Sequence, residues 1–248
     1  MIFPIGDDNT DRTTTPYINY ILIGINIFVF VLLQGLGSNH EFTYAFSTVP
    51  EEIITGEDVV TENETVRDAE TGERFTMPGL QETPVLVYLT LLTSMFMHGG
   101  IMHIFGNMLY LWIFGDNLEH ALGHIRYLIF YLVCGVLASI AHVITSVATD
   151  ANLLIPSLGA SGAISGVLGG YILLFPKRQV RAIFLRSIVS IPAFAALGIW
   201  IVFQLISGFL SAGQEGGGVA YGAHIGGFFA GLILVKFFTI GRKNVTPI

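Results

Sequence analysis

Cysteine and charge are both scarce in this sequence, and each shortage excludes a class of protein. Cys134 is the only cysteine, so a disulfide-stabilised scaffold is excluded. Charged residues make up 12% of the chain, about half the share of an ordinary soluble domain. With 11 basic against 18 acidic residues, the chain lacks the cationic surface that tracks phosphates, and we expect no nucleic-acid partner.

Apolar residues, in contrast, make up 52% of the 248 residues, and the mean hydropathy is +0.69. These values are typical of a polytopic membrane protein, and about 129 apolar positions are enough for roughly six spans of about 20 residues. The sequence predicts an all-α membrane protein with a short polar tail at each end, residues 1–16 and 239–248. We place the six spans at residues 17–36, 101–119, 127–148, 159–175, 188–210 and 219–238.

A long stretch, residues 37–100, separates the first two predicted spans. Within it, residues 51–82 hold eight Glu and two Asp, which predicts a hydrophilic insertion outside the bilayer. Residues 85–100 are apolar but too close to the next span to cross the membrane independently. We expect them to form a re-entrant or interfacial element against the bundle.

The basic residues predict the orientation, because Lys and Arg prefer cytoplasmic loops. With both termini inside, nine of the 11 basic residues lie inside and only Arg67 and Arg74 lie outside. The sequence therefore predicts a multi-pass protein of the cell membrane with cytoplasmic termini and an external loop at 37–100.

Notable polar residues recur near the start of the second, fourth and sixth predicted spans. His103 and Asn107 share a face of the second, Ser161 opens the fourth, and His224 lies about 8 Å into the sixth at 1.5 Å per residue. In this topology all four lie at one depth below the outer surface. Polar groups at membrane depth usually face the bundle interior, so this layer is typical of a hydrolytic site.

Glycines repeat at four-residue spacing on the same two spans. The fourth carries Gly162, Gly166 and Gly170, and the sixth carries Gly222-xxx-Gly226 and Gly227-xxx-Gly231. Such faces let helix backbones approach closely. A serine hydroxyl and a histidine on different helices can hydrogen-bond only after such an approach.

The chain resembles the rhomboid family of intramembrane serine proteases. The resemblance rests on three motifs in order, HGGIMHIFGN (98–107), GASG (159–162) and AHIGG (223–227), and covers a six-helix domain at 17–238. It implies cleavage of transmembrane segments of membrane-protein substrates within the bilayer, without a metal or cofactor. It makes Ser161 the nucleophile and His224 the general base, with His103, Asn107 and the Ser161 N–H as oxyanion donors.

Two positions depart from the family pattern. Leu89-Thr90 stands where the family often has Trp-Arg in the first external loop, and Ser165 stands where some members have a Tyr stacked on the histidine. Another residue must therefore orient His224, and without a carboxylate partner we expect packing to do so. The fifth span, with Pro192 and the loop at 211–218, resembles the family's proposed lateral gate.

Other readings of the same residues are weaker. An inactive rhomboid-like protein that binds membrane clients is the main alternative, although such relatives typically lack the Ser or the His. An HExxH zinc motif is absent, because Tyr44 stands where the second His would follow His40-Glu41. An aspartyl protease needs two Asp at membrane depth, and only Asp116 lies within a predicted span.

Overall fold

The computed structural model describes residues 2–67, 74–185, 187–211 and 219–242, and this part of the chain is mostly helical. The helices are α1 Tyr17–Phe28, α2 His40–Ala45, α3 Pro50–Thr55, α4 Thr90–Thr93, α5 Ile101–Leu122, α6 His124–Ala148, α7 Ser161–Leu174, α8 Ala193–Leu210 and α9 Tyr221–Phe238. The strands are β1 Ile2–Asp7, β2 Glu64–Arg67, β3 Arg74–Met77, β4 Gln179–Phe184 and β5 Ser187–Pro192.

Three of the described helices, α6, α8 and α9, are long and apolar enough to cross a membrane. A fourth candidate is the bent pair formed by Val87–Phe96 and α5, whose two parts meet at 80°. The other apolar helices are shorter: Tyr17–Leu33 joins α1 to a π-helical turn, and α7 has only 14 residues, or about 21 Å. Length and composition thus identify three or four spans, and the count of six stays a prediction.

One predicted boundary needs correction. The span predicted at 188–210 begins as strand β5, and its helix starts only after Pro192. Ile188, Val189 and Ile191 are β-branched and favour a strand, while the residue before a proline avoids the helical region. The polar tail predicted at 1–16 also contains structure, because β1 pairs antiparallel with β4 and gives a sheet of order β1-β4-β5.

Helix α7 lies at the centre of the bundle, and glycines determine how closely α9 approaches it. A Cβ added at Gly227 would lie 2.1 Å from the Gly162 carbonyl oxygen, and one at Gly231 would lie 1.9 Å from that of Gly166. Neither position can carry a side chain unless the helices separate. The predicted close approach of these two helices is therefore present.

The remaining predicted glycines contact other neighbours. Gly222 faces Thr145 and Gly226 faces Ala141, so this pair packs α9 against α6 rather than against α7. Gly170 is surrounded by Phe130, Val235 and Leu118 side chains. The glycines of α9 thus pack against two helices, α6 and α7. Their spacing in the sequence does not show which glycine faces which helix.

The acidic insertion contains the antiparallel strands β2 and β3. The residues that flank this pair are also bonded, since the Leu80 N–H donates to the Thr61 hydroxyl at 2.8 Å. Before it, Thr48 and Ser157 exchange two backbone hydrogen bonds. These bonds attach the segment before the insertion to the segment that leads into α7. The insertion therefore follows a residue that is bonded to the approach to Ser161, the first residue of α7.

The other end of the bundle holds a buried polar cluster. Asn117 at the end of α5 and Tyr171 on α7 both donate to the Asp7 carboxylate of β1, and Arg178 donates to Asn117. Burial raises the pKa of Asp7 from 3.8 to about 7. Three elements thus meet at one end of the bundle: the N-terminal strand, the end of α5 and the loop after α7. The charge pattern predicts that they lie on one side of the membrane.

Candidate active site

Ser161 is the first residue of α7, and His224 is the fourth residue of α9. The Ser161 Oγ lies 2.8 Å from His224 Nε2, a normal hydrogen-bond distance. Gly159 precedes the serine with a φ of +120°, a backbone conformation that favours glycine. The structure therefore brings together the serine and histidine that the sequence singles out.

The second ring nitrogen of His224 has a partner that sequence analysis missed. Gln204 on α8 places its Oε1 atom 2.8 Å from His224 Nδ1, and the Gln204 side chain is buried. Trp200, one turn earlier on α8, packs its ring 6.1 Å from the imidazole. The prediction that packing alone orients His224 is wrong, since a hydrogen bond contributes as well. The signal was an amide side chain inside an otherwise apolar helix.

Ser165 does not contact the histidine ring. Its hydroxyl donates to the Ser161 carbonyl oxygen at 2.6 Å, a common bond between a serine and the preceding helical turn. The aromatic neighbour of His224 comes from α8 rather than from α7. Trp200 on α8 thus supplies the aromatic contact with His224 that some family members make with a Tyr at the position of Ser165.

His103 and Asn107 both point toward Gly159. A Cβ added at Gly159 would lie 2.8 Å from His103 Nε2, too close unless the ring shifts, and 3.6 Å from Asn107 Nδ2, an ordinary contact distance. The His103 Nδ1 accepts a long hydrogen bond of 3.4 Å from the Gly99 N–H, which leaves the ring proton of a neutral His103 on Nε2. Two N–H donors therefore converge next to the start of α7.

Asn107 Nδ2 is buried and has no hydrogen-bond partner among the residues that the structure describes. A buried donor without a partner costs about 1–3 kcal/mol, so an acceptor placed next to Asn107 Nδ2 would be stabilised there. The first N–H groups of α7 also lack intrahelical acceptors, as in any helix, and the helix dipole makes this end positive. The site therefore offers several donors to a developing negative charge.

His98, the first residue of the HGGIMH motif, is fully buried and supports the fold around the site. The Gln34 amide donates to the His98 carbonyl at 2.9 Å and accepts from its N–H at 3.0 Å. The His98 ring packs edge-on against His103, with 5.2 Å between centroids. His98 thus lies behind His103 and supports its ring by packing.

A small cavity of about 10 Å³ lies beside Ser161, with room for about one water molecule. Its lining is partly polar, because Ser94, Ser139 and Ser157 contribute to it. Gly159 at its edge donates its N–H to the Ser94 carbonyl at 2.9 Å. Ser161 thus lies next to a pocket of suitable size and polarity for water.

Comparison with known proteins decides the family. Residues 87–240 match the family model described as the Rhomboid domain. The chain belongs to the rhomboid family. The matched region contains Ser161, His224, His103, Asn107 and Gln204, so every residue of the site lies within the rhomboid domain.

Three relatives illustrate the similarity. The chain is 31% identical to "Rhomboid protease GluP" of Bacillus subtilis over 94% of its own length and 38% of that protein. It is 31% identical to "Rhomboid protein 1, mitochondrial" of Saccharomyces cerevisiae over 62% of its length and 43% of that protein. It is 32% identical to the human "Presenilin-associated rhomboid-like protein, mitochondrial" over 44% of its length and 31% of that protein. The chain thus spans less than half the length of these relatives.

Proposed function

We propose that this rhomboid is an intramembrane serine endopeptidase that cleaves transmembrane segments of membrane-protein substrates near the extracytoplasmic face. The observation that carries the proposal is the 2.8 Å contact between the Ser161 hydroxyl and His224 Nε2 at the starts of two apolar helices. The name of its Bacillus subtilis relative, a rhomboid protease, supports the same activity. The partners are membrane-protein substrates and the lipid bilayer.

The chemistry starts at the serine. His224 Nε2 removes the hydroxyl proton as Ser161 Oγ attacks the scissile carbonyl carbon, and the C–O π bond becomes an oxyanion. When the tetrahedral intermediate collapses, His224 gives this proton to the leaving amine and the C–N bond breaks. A water molecule then attacks the acyl-enzyme, with His224 again as the base, and releases Ser161.

The oxyanion needs donors that are aimed before the reaction begins. Asn107 Nδ2 is buried and has no partner among the described residues, and His103 Nε2 lies beside it. Together with the Ser161 N–H, these groups form the proposed oxyanion hole. Removal of one such donor typically costs about 10²–10³ in kcat, because a preorganised donor pays no reorganisation cost.

Substrate helices must unwind before cleavage, because the carbonyl of an intact helix is hydrogen-bonded and sterically hidden. Helix α8, which resembles the family's proposed lateral gate, borders the site through Gln204 and Trp200. The predicted loop at 211–218 lies, except for Ser211, outside the described residues. We propose that substrates reach Ser161 between α8 and its neighbours.

The same proposal includes six membrane-crossing segments with both termini in the cytoplasm of a cell membrane. Nine of the 11 basic residues then lie inside. Cysteines introduced at Lys177 and at Thr61, in a Cys134→Ala background, test this orientation with a membrane-impermeant maleimide on intact cells. We expect labelling at position 61 only, and labelling at position 177 alone would contradict it.

Catalysis is tested by cleavage of a model transmembrane substrate by the purified protein in liposomes. Ser161→Ala should lower the cleavage rate by at least about 10³-fold, because no other group can form the acyl-enzyme. Ser165→Ala is the matched control on the same helix, since its hydroxyl contacts a backbone carbonyl rather than His224. Equal cleavage by wild type and Ser161→Ala would refute the dyad.

Labelling with a serine-reactive fluorophosphonate separates this proposal from the inactive, client-binding alternative. An inactive relative should not label, whereas the proposed enzyme should label at Ser161. His224→Ala should abolish the labelling, because the hydroxyl then has no base. Persistent labelling of that variant would remove His224 as the base.

A further inference from the structure

Helix α8 contributes one polar side chain to the site, and its geometry points to a role in the reaction. Gln204 Oε1 lies 2.8 Å from His224 Nδ1, while the opposite ring nitrogen lies 2.8 Å from Ser161 Oγ. The three side chains form a continuous hydrogen-bonded chain across α8, α9 and α7. We propose that Gln204 is a positioning residue that fixes the tautomer and the ring orientation of His224.

The hydrogen atoms that Gln204 and His224 carry determine which tautomer forms. An amide oxygen only accepts hydrogen bonds, so its contact requires a proton on His224 Nδ1. A neutral imidazole carries one ring proton, and Nε2 is then the nitrogen with a free lone pair. That nitrogen faces the Ser161 hydroxyl, which is the arrangement that a general base needs.

The opposite tautomer would stop the reaction. With its proton on Nε2, His224 would donate to Ser161 Oγ and could not remove the serine proton. In serine proteases with an aspartate, the carboxylate holds the same tautomer and also stabilises the imidazolium. The neutral amide of Gln204 holds the tautomer but does not stabilise the imidazolium. It also avoids placing a carboxylate at membrane depth.

The surroundings of Gln204 favour this specific role. Gln204 is 6% exposed and is the only polar residue among the four buried positions of α8. A buried amide is costly unless its hydrogen-bonding capacity is used, and His224 uses its oxygen. Trp200 holds the same ring by packing, so α8 contributes both contacts that orient the histidine.

This inference rests on the proposed protease activity, and the test separates the two. The probe is the second-order rate of fluorophosphonate labelling at Ser161 by the full-length protein in liposomes, measured from pH 5 to pH 9. Gln204→Met removes the acceptor with little change in volume. Gln204→Glu keeps the acceptor and adds a charge. Phe203→Leu, an exposed neighbour on α8, is the control.

We expect Gln204→Met to lower the labelling rate about 10- to 100-fold. In cleavage of the model transmembrane substrate, kcat should fall by a similar factor and KM should change less than about twofold. We expect Gln204→Glu to label faster than the Met variant and to move the acid limb of its rate–pH profile to higher pH. This shift follows because a carboxylate favours the protonated imidazole. Phe203→Leu should match wild type in rate and in profile.

The outcomes lead to different conclusions. If Ser161→Ala labels like wild type, the protease proposal falls. If labelling depends on Ser161 but Gln204→Met labels at the wild-type rate, only the positioning role falls. If Gln204→Met loses thermal stability, the Glu variant decides, and an unchanged rate–pH profile would overturn the inference.

Discussion

Helices α7 and α8 both contribute to the site, yet they are held in the molecule in opposite ways. Eleven of the 14 residues of α7 are buried, against four of the 18 residues of α8. The enclosed helix carries Ser161, and the peripheral helix carries Gln204 and Trp200. Ser161 is thus held in place by dense packing, whereas the orientation of His224 depends on contacts with a helix that is mostly exposed.

This difference follows from the side chains. Helix α7 contains four Gly, which permit backbone contact on several sides. Helix α8 presents Ile199, Val202 and Phe203 outward, and large apolar residues of this kind suit contact with lipid. The dense packing of α7 and the looser attachment of α8 therefore follow from the size of their residues.

The largest effect is expected at the interface of α7 and α9. A Cβ at position 231 would lie 1.9 Å from the Gly166 carbonyl oxygen, so Gly231→Ala forces the helices apart. We expect a loss of at least about 3 kcal/mol of stability and of most fluorophosphonate labelling. Thermal unfolding in detergent measures the first, and an unchanged melting temperature would contradict the packing argument.

A second effect, of opposite sign, is expected near the C-terminal end of α7, where Tyr171 donates to Asp7. Burial raises the Asp7 pKa from 3.8 to about 7, so the folded protein retains a proton that the unfolded chain releases. This group therefore makes stability fall as the pH rises from about 4 to 7. Asp7→Asn should remove that fall and stabilise the protein at pH 8 by at most about 4 kcal/mol.

Melting temperatures at pH 4 and pH 8 measure this change. Asp11→Asn is the control, because Asp11 is an exposed partner of Arg178 and such pairs contribute less than about 1 kcal/mol. A pH slope that is the same in wild type and Asp7→Asn would show that Asp7 is not the group responsible.

The smallest effect is expected on α8. An added Cβ at Gly198 meets no atom within 4 Å, so Gly198→Ala should change stability by no more than about 1 kcal/mol. It is the matched control for Gly231→Ala, since both replace glycine by alanine within an apolar helix. A large destabilisation by Gly198→Ala would remove the distinction between the two helices.

Part of the site could be predicted because it depends on spacing along single helices. Ser161, His224 and the pair His103 and Asn107 lie near helix starts in the sequence, and helical geometry then gives their depth. Gln204 could not be paired with His224 in this way. Its partner is 20 residues away, beyond a loop whose path no local pattern predicts.

Strand β5 was missed for a related reason. An apolar run that ends in a helix reads as one span, although its first residues at 188–192 pair with β4. Hydropathy measures burial from water and does not distinguish a strand from a helix over short apolar runs. The pairing of β1 with β4 joins segments more than 170 residues apart and depends on the folded bundle.

By itself, the sequence determined the membrane class, the residues that we propose as the dyad and the glycines that allow close approach, because composition and helical periodicity are local properties. The tertiary structure decided which glycine faces which helix, that Gln204 accepts from His224, and that β1 completes a sheet. Those features depend on how separate segments meet, and many side chains on each helix could have made such contacts. Only the packed arrangement selects among them.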